Sequence, residues 1–531
     1  MTDGKHKQSA VWTFFWLTFS TAMLLKYGYA GWNYYPTIDD WIQYGLYRMY
    51  DDKYHEIFLH LTYHTRPLAS LADLYVWGRF WPNLAFPLFV MTAMHTASCY
   101  LLYRVFRKLG LPFGILSAVL FGLLPVGSEA TYWLSASTRL VVGMFFMLVS
   151  LVFLIEVLEK NRKAGYLIGF FLFQLLSFGF YEQIIALGAA SSCLILLWKK
   201  RWIWLLLPIS NVGLIAGYYV VCKAGGNVEE RGQTVAAERF LNHAGGVFHQ
   251  FYTIMIQVHG EFYSKGFVNS LRVLGERHSY FYVLAILFVS VGIGWLAYRL
   301  LWDAEQSGGR RAMQAGLGII LTVIPLAPFF VLNDTGLALR NVFPSFIGIV
   351  LLLEMAFRLL LRRRAVYGAV TGLLVFVFLV IHVGEVTDYQ KVSEADRQMV
   401  QHIVAAAEPT GKFRHSSPVY LFGAKEQLVP VSVSFLNHVR SSTANDWSLY
   451  GAIRAIEANR QYSSVTQVPE ERVVPLSAVN VETGLLLGLE QNGIVTVLHH
   501  KEKTAGSYEL LRPDGTYFGV YDTSHQVFTR Q

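Results

Sequence analysis

The feature that most limits what this chain can fold into is a recurrence of apolar runs close to 20 residues long, ended alternately by short basic clusters. Coiled as a helix, a run of that length matches the hydrocarbon thickness of a bilayer. About eleven such runs can be read by this length rule, at 10–30, 84–103, 111–126, 140–158, 165–181, 184–198, 202–222, 280–300, 316–332, 342–361 and 366–386. The 531 residues are 54% hydrophobic and only 15% charged, against about 25% charged in soluble domains. The expected fold class is therefore an all-α polytopic membrane protein, carrying after its last span a C-terminal α/β domain outside the cytoplasm. The net charge of +8 does not point to nucleic acid, because the basic residues sit at the ends of apolar runs, where topology accounts for them.

The N-terminal run at 10–30 has a basic start and small residues at its end, like a signal peptide, but it exceeds a usual signal core. It is read as an uncleaved first span, with Lys26 near its outer end reaching toward the interface. Cys99, Cys193 and Cys222 lie in apolar segments without metal-ligand spacing, so neither a disulfide framework nor a metal site is expected.

Charge asymmetry orients the spans. With Lys5 and Lys7 in the cytoplasm, every second connection is basic: Arg104, Arg107 and Lys108; Lys160, Arg162 and Lys163; Lys199, Lys200 and Arg201; Arg299, Arg310 and Arg311; Arg358 with Arg362, Arg363 and Arg364. The alternation places outside the loop 31–83, the segment "GSEATYWLSAST", the segment 223–279 and everything after Val386. In that tail a polar helix at 388–407 is expected. Strand-like runs "PVYLFG" and "VPVSVSFL" follow, then a helix near 447–458 and a hairpin turning at "PDG".

The first outer loop carries the chemistry. Asp39 and Asp40 in "TIDDW" cap the start of an interfacial helix on the plainer reading. On the functional one, a carboxylate at the bilayer edge serves as general base toward an acceptor hydroxyl. "YHTRPLA" adds His64 and Arg66 before Pro67, a favoured first helical position. A guanidinium there suits a phosphate, and His64 would donate to the same group or steer the acid pair. His95 and Gln174, inside spans, are expected to bond between helices. "KAGGNVEERGQTVAAERF" reads as a loop.

Taken in order, the acid pair after the first span, the "RPL" motif and "NLAFPLFVMTAMHTASCYLLYRVFRKLG" resemble the GT-C glycosyltransferases, the superfamily of protein O-mannosyltransferases and aminoarabinose transferases. "LFGLLPVGSEATYWLSASTRLVVGMFFML" is similar to a family segment, with Pro125, Glu129, Trp133 and Arg139. "FGFYEQIIAL", with Glu182, and "LALRNVFPSFIGIVLLL", with Arg340, Phe343 and Pro344, resemble two more. The likeness is best over 30–185, looser to about 360, and does not extend into the tail. It implies a polyprenyl-phosphate-linked sugar donor, a glycan, lipid or protein acceptor, and inversion at the anomeric carbon in a cavity at the outer membrane face. It also implies Asp39 as catalytic base, with Asp40 orienting it or binding the acceptor. Arg66 and Arg340, with His64, would hold the donor phosphate, and Glu129, Arg139 and Glu182 would contact substrate. Some relatives use a divalent cation, but no ligand set for one is readable here. As plainer alternatives, Arg139 serves equally as an interfacial anchor and Glu182 as an exposed loop acid.

Two rivals remain. An envelope polysaccharide ligase or polymerase would place its arginines and a histidine in one late loop, without an early acid pair. A lipid-linked sugar transporter would show internal symmetry and mid-membrane charges. The expected setting is the bacterial inner membrane, with an N-terminus in the cytoplasm and a periplasmic or extracellular C-terminal domain.

Overall fold

The computed structural model describes residues 2–60, 66–159, 164–224, 234–300, 308–333, 336–414, 417–434, 438–471 and 479–530. His64, the basic connection 160–163 and the middle of the glycine-rich segment 223–240 lie outside the described residues. The chain divides into two compact units: 1–33, 55–72 and 85–386 in the first; 34–54, 73–84 and 387–531 in the second.

The first unit is helical. Seven helices, counted over the described residues, are long and apolar enough to cross a membrane: Ala85–Leu109, Leu134–Glu159, Trp202–Cys222, Tyr280–Leu300, Arg310–Val331, Leu339–Leu360 and Arg364–Thr410. An eighth is formed if Ile115–Leu123 and Pro125–Tyr132, bent by 45° at a break, make one span. The other apolar runs are helical too. Thr2–Gly28 is long but more polar, while Ala164–Phe178 and Glu182–Trp198 have 15 and 17 residues, short of the roughly 20 that a straight crossing needs.

Small residues decide how closely some of these helices pack. A Cβ on Gly294 would lie 2.9 Å from the Gly368 carbonyl, so only glycine lets Tyr280–Leu300 approach the helix beginning at Arg364. Gln174 does bond between helices, donating to Ser192 Oγ at 2.8 Å and accepting from Asn211 at 2.9 Å. Lys26 departs from expectation. It is 1% exposed and donates inward to the Gly122 carbonyl at 3.1 Å and Thr131 Oγ1 at 2.9 Å, so it does not snorkel. The segment 223–279, of which only 223–240 is read as a loop from the sequence, contains the helices Phe240–Tyr252 and Phe267–Glu276.

The second unit is mixed α/β. A parallel core, β1 (Val419–Ala424) between β2 (Val465–Pro469) and β3 (Leu485–Leu489), is extended by antiparallel β4 (Val495–Val497). All six positions of β1 are buried, as a strand covered on both faces requires. A second sheet is an antiparallel meander of β5 (His499–Thr504), β6 (Ser507–Leu511), β7 (Tyr517–Asp522) and β8 (Val527–Arg530). The expected hairpin at "PDG" joins β6 to β7, with Gly515 at φ +84° and Arg512 N–H donating to the Thr516 carbonyl at 2.8 Å. "VPVSVSFL" forms no strand over its described residues, 429–434. One of its backbone donors goes to a side chain instead: Ser432 N–H reaches Asp388 Oδ2 at 2.6 Å, and just before the segment Leu428 N–H reaches Ser441 Oγ at 3.1 Å.

The largest departure concerns the first outer loop. The helix expected from Trp41 is a wide turn at Trp41–Leu46 followed by tight turns at Tyr47–Lys53, with Tyr50 at φ −117°, ψ 39°. Rather than resting on a bilayer, Trp41 is fully buried in the core of the second unit, among Val400, Ile403, Leu449 and Ile453. Gly45 and Gly451 allow the contact: a Cβ on either would meet Ala455 Cβ at 2.5 Å or Ile42 Cγ1 at 2.6 Å.

Truncating a buried aromatic costs about 3–5 kcal/mol, so Trp41→Ala should lower the melting temperature of the second unit's transition; an unchanged melt would place Trp41 outside that core. A pH effect is expected at Asp446. Burial holds its carboxyl above the usual value of 3.8, opposed by Gln467 N–H at 2.8 Å. The folded state therefore keeps a proton that the unfolded chain releases first. This contribution to stability is present below pH 3.8 and is lost as pH rises through the elevated folded pKa. Asp446→Asn should flatten that part of a melting-temperature profile against pH.

Candidate functional site

Two of the predicted arginines lie on one polar network in the first unit. Arg66 precedes the short helix Pro67–Leu71, whose proline takes the first helical position as expected. Leu68 N–H donates to the Gly179 carbonyl at 3.0 Å, which brings Arg66 to the turn before Glu182–Trp198. A Cβ on Gly179 would sit 2.6 Å from Leu68 Cγ, so the close approach requires glycine. Across it, Arg66 Nε donates to both oxygens of Glu182, at 2.9 and 3.1 Å, and the guanidinium lies 4.4 Å from the centre of the Tyr181 ring. Glu182 is the first residue of its helix, where the dipole favours a carboxylate.

Arg340 forms the second pair. Its backbone N–H donates to Glu129 Oε2 at 2.9 Å, its guanidinium donates to Glu129 Oε1, and it stacks 4.7 Å from the centre of the Trp133 ring. Glu129 is held by the short helix Ser128–Tyr132 beyond the break, and its side chain is 3% exposed against 34% for Arg340. The two pairs are joined by Asn341, which donates to Tyr181 Oη at 2.9 Å. Gln183 donates to the Asn341 carbonyl at 2.8 Å and to that of Pro325 at 2.9 Å. A continuous path thus runs Glu129–Arg340–Asn341–Tyr181–Arg66–Glu182.

The chemistry of this path follows from its charges. Two guanidinium groups and two carboxylates give no net charge, so the unliganded network avoids an uncompensated ion in apolar surroundings. The arginines remain about a third exposed, at 35% and 34%, while Glu129 is enclosed. Glu182 takes Arg66 through Nε, leaving the terminal nitrogens out of that bond. Two planar cations fixed by stacking and pairing can meet an oxyanion without reorganising.

The other predicted residues separate from this path. Arg139 is buried and folds back onto the Ser135 carbonyl of its own helix. Asp39 and Asp40 belong to the second unit. There Asp40 is fully buried and accepts from Tyr34 Oη at 2.5 Å and Thr37 N–H at 3.2 Å. Asp39 is half-buried. The residue before it, Ile38, is buried at φ +34°, a left-handed value that strains a β-branched residue by about 1–3 kcal/mol. Thr37 Oγ1 donates to the Arg440 carbonyl at 2.7 Å, and the following Trp41 is sunk in the core, so both sides of the acid pair are anchored. Among the described residues, no group of three or more His, Cys, Asp and Glu could hold a metal ion.

Tyr181, Gln183 and Asn341 were not singled out in the sequence, although each adjoins a residue that was. Their adjacency to Glu182 and Arg340 was the available signal.

The Glu129–Arg340 pair should be energetically coupled. Arg340→Gln leaves a buried carboxylate without its cation, and adding Glu129→Gln removes that penalty. In a double-mutant cycle on thermal or denaturant unfolding, we expect a coupling of about 1–3 kcal/mol, discounted for the exposure of Arg340. Strict additivity would mean that the pair does not hold the network.

No family model matches the chain, and no curated protein or solved structure matches it.

Proposed function

We propose that this protein is an integral membrane glycosyltransferase. It moves a sugar from a polyprenyl-phosphate donor to an acceptor hydroxyl at the outer membrane face, with inversion. The reading takes all eleven apolar runs as crossings, puts the second unit outside the cytoplasm, and sets the protein in a bacterial inner membrane. The observation that carries it is the pair of stacked, carboxylate-braced arginines, Arg66 and Arg340, joined through Asn341 and Tyr181. Such a pair suits a leaving phosphate, whose charge grows as the glycosidic bond breaks.

In the proposed displacement, a general base, expected from the resemblance to be Asp39, takes the proton of the acceptor hydroxyl as its oxygen bonds to the anomeric carbon. The bond from that carbon to the phosphate oxygen breaks, and the phosphate departs with the electron pair toward the two guanidinium groups. Glu129 and Glu182, first read as substrate contacts, take the role of holding the arginines in place. Asp40 fixes the backbone from which Asp39 projects. The strained Ile38 favours this reading, since such conformations persist where function demands a particular side-chain direction.

Transfer should be measured with purified protein, a series of polyprenyl-phosphate sugars, and lipid, glycan and peptide acceptors. Removing a general base typically costs about 10²–10⁴ in rate, so Asp39→Asn should lose that much while still binding donor. Wild-type turnover in this variant would remove Asp39 from the mechanism. Arg66→Ala should raise the KM for donor more than that for acceptor, and equal increases would count against a phosphate role.

A further inference from the structure

Among the described residues of the first unit, three basic side chains that the proposed chemistry does not use are no more than 2% exposed: Lys26, His95 and His382. They come from three different helices, Thr2–Gly28, Ala85–Leu109 and the helix starting at Arg364, and converge on the break between Ile115–Leu123 and Pro125–Tyr132.

The break has a local cause. In a continuous helix the Phe121 carbonyl would accept from the N–H of residue 125, but residue 125 is proline and has none. Leu124 turns out of the helix at ψ 121°, and Gly127 N–H goes to the Leu124 carbonyl at 3.0 Å rather than to that of Leu123. The carbonyls of Phe121, Gly122 and Leu123 thus end a helix inside an apolar bundle, where an unmet acceptor costs about 1–3 kcal/mol.

Each of the three is met by one of the basic side chains. His95 Nε2 donates to the Phe121 carbonyl at 3.2 Å, Lys26 Nζ to that of Gly122 at 3.1 Å, and His382 Nε2 to that of Leu123 at 3.1 Å. A carbonyl can only accept, so both imidazoles carry their proton on Nε2 toward it. The amino group of Lys26 also lies at the negative end of the helix dipole, which suits a hydrogen-bond donor. Lys26 reaches past the break as well, donating to Thr131 Oγ1 at 2.9 Å, and Tyr27 Oη shares a hydrogen bond with the same atom at 2.5 Å. Ser128 Oγ donates to Glu385 at 2.9 Å.

We infer that Lys26, His95 and His382 form a three-point cap that holds the break open and so positions Glu129, and through it Arg340. They are positioning residues. The consequence for ligand binding rests on the proposed phosphate role of Arg340, whereas the cap itself does not.

The test uses the full-length protein in detergent or nanodiscs, with two readouts: amide hydrogen exchange across 121–132 and binding of a polyprenyl phosphate. Lys26→Met and His382→Leu remove a donor, while Lys26→Arg and His382→Gln keep one. The first two should speed exchange in this segment by about tenfold or more and weaken binding, and the conservative pair should stay close to wild type on both. Unchanged exchange in Lys26→Met and His382→Leu would overturn the cap. Faster exchange with undiminished binding would overturn the positioning role. If wild type does not bind the polyprenyl phosphate, the phosphate role of Arg340 fails, and exchange alone then decides the cap.

Discussion

An ion in an apolar bundle must find its counter-charge or its hydrogen-bond partners inside the protein, because leaving either unmet costs several kcal/mol. That constraint organises the first unit. Glu129 is enclosed, so Arg340 is drawn to it by both its backbone N–H and its guanidinium. Glu182 at a helix start does the same for Arg66. Each cation then lies on an aromatic ring, which replaces lost hydration without adding a competing donor.

The same constraint explains the bent helix. Pro125 removes one donor, and the chain that follows turns away from two further carbonyls. Neighbouring helices supply the missing donors, one side chain each. A break that would be costly in isolation thereby becomes a fixed feature, and the residues after it, Ser128 to Tyr132, carry the acid to which Arg340 is bound.

The second unit shows a different economy. Its core includes Trp41 from near the start of the chain beside strands and helices from near its end. Asp40, Asp388 and Asp396 are buried in it, with Asp396 accepting from Ser442 N–H at 3.0 and 2.9 Å. These carboxylates take up backbone donors of irregular segments, and Asp388 does so at Ser432, within residues 429–434, which lie outside both sheets despite their alternation. Hydrophobic alternation alone does not make a ladder when side chains satisfy the backbone first.

Much of this was legible along the chain. Apolar run length foretold the long helices of the first unit, because a backbone in an apolar setting must bond within itself, but not Phe240–Tyr252 or Phe267–Glu276, which lie in a segment without such a run. Arg66 stood out before a helix-starting proline in the loop 31–83, Glu129, Glu182 and Arg340 stood out through the family resemblance of their segments, and "PDG" between alternating residues marked its hairpin. Partnership was not legible. That Glu182 faces Arg66 and Glu129 faces Arg340 depends on side chains 116 and 211 residues apart. Likewise, Lys26, at the end of its run, was read as an interfacial residue because sequence reports distance along a span and not what lies across from it. By itself the sequence determined where helices form and which charges they carry, since both follow from local periodicity and composition. Only the tertiary structure decided which charges meet, which carbonyls a lysine and two histidines reach, and which unit receives Trp41, because those choices are made by packing between distant segments.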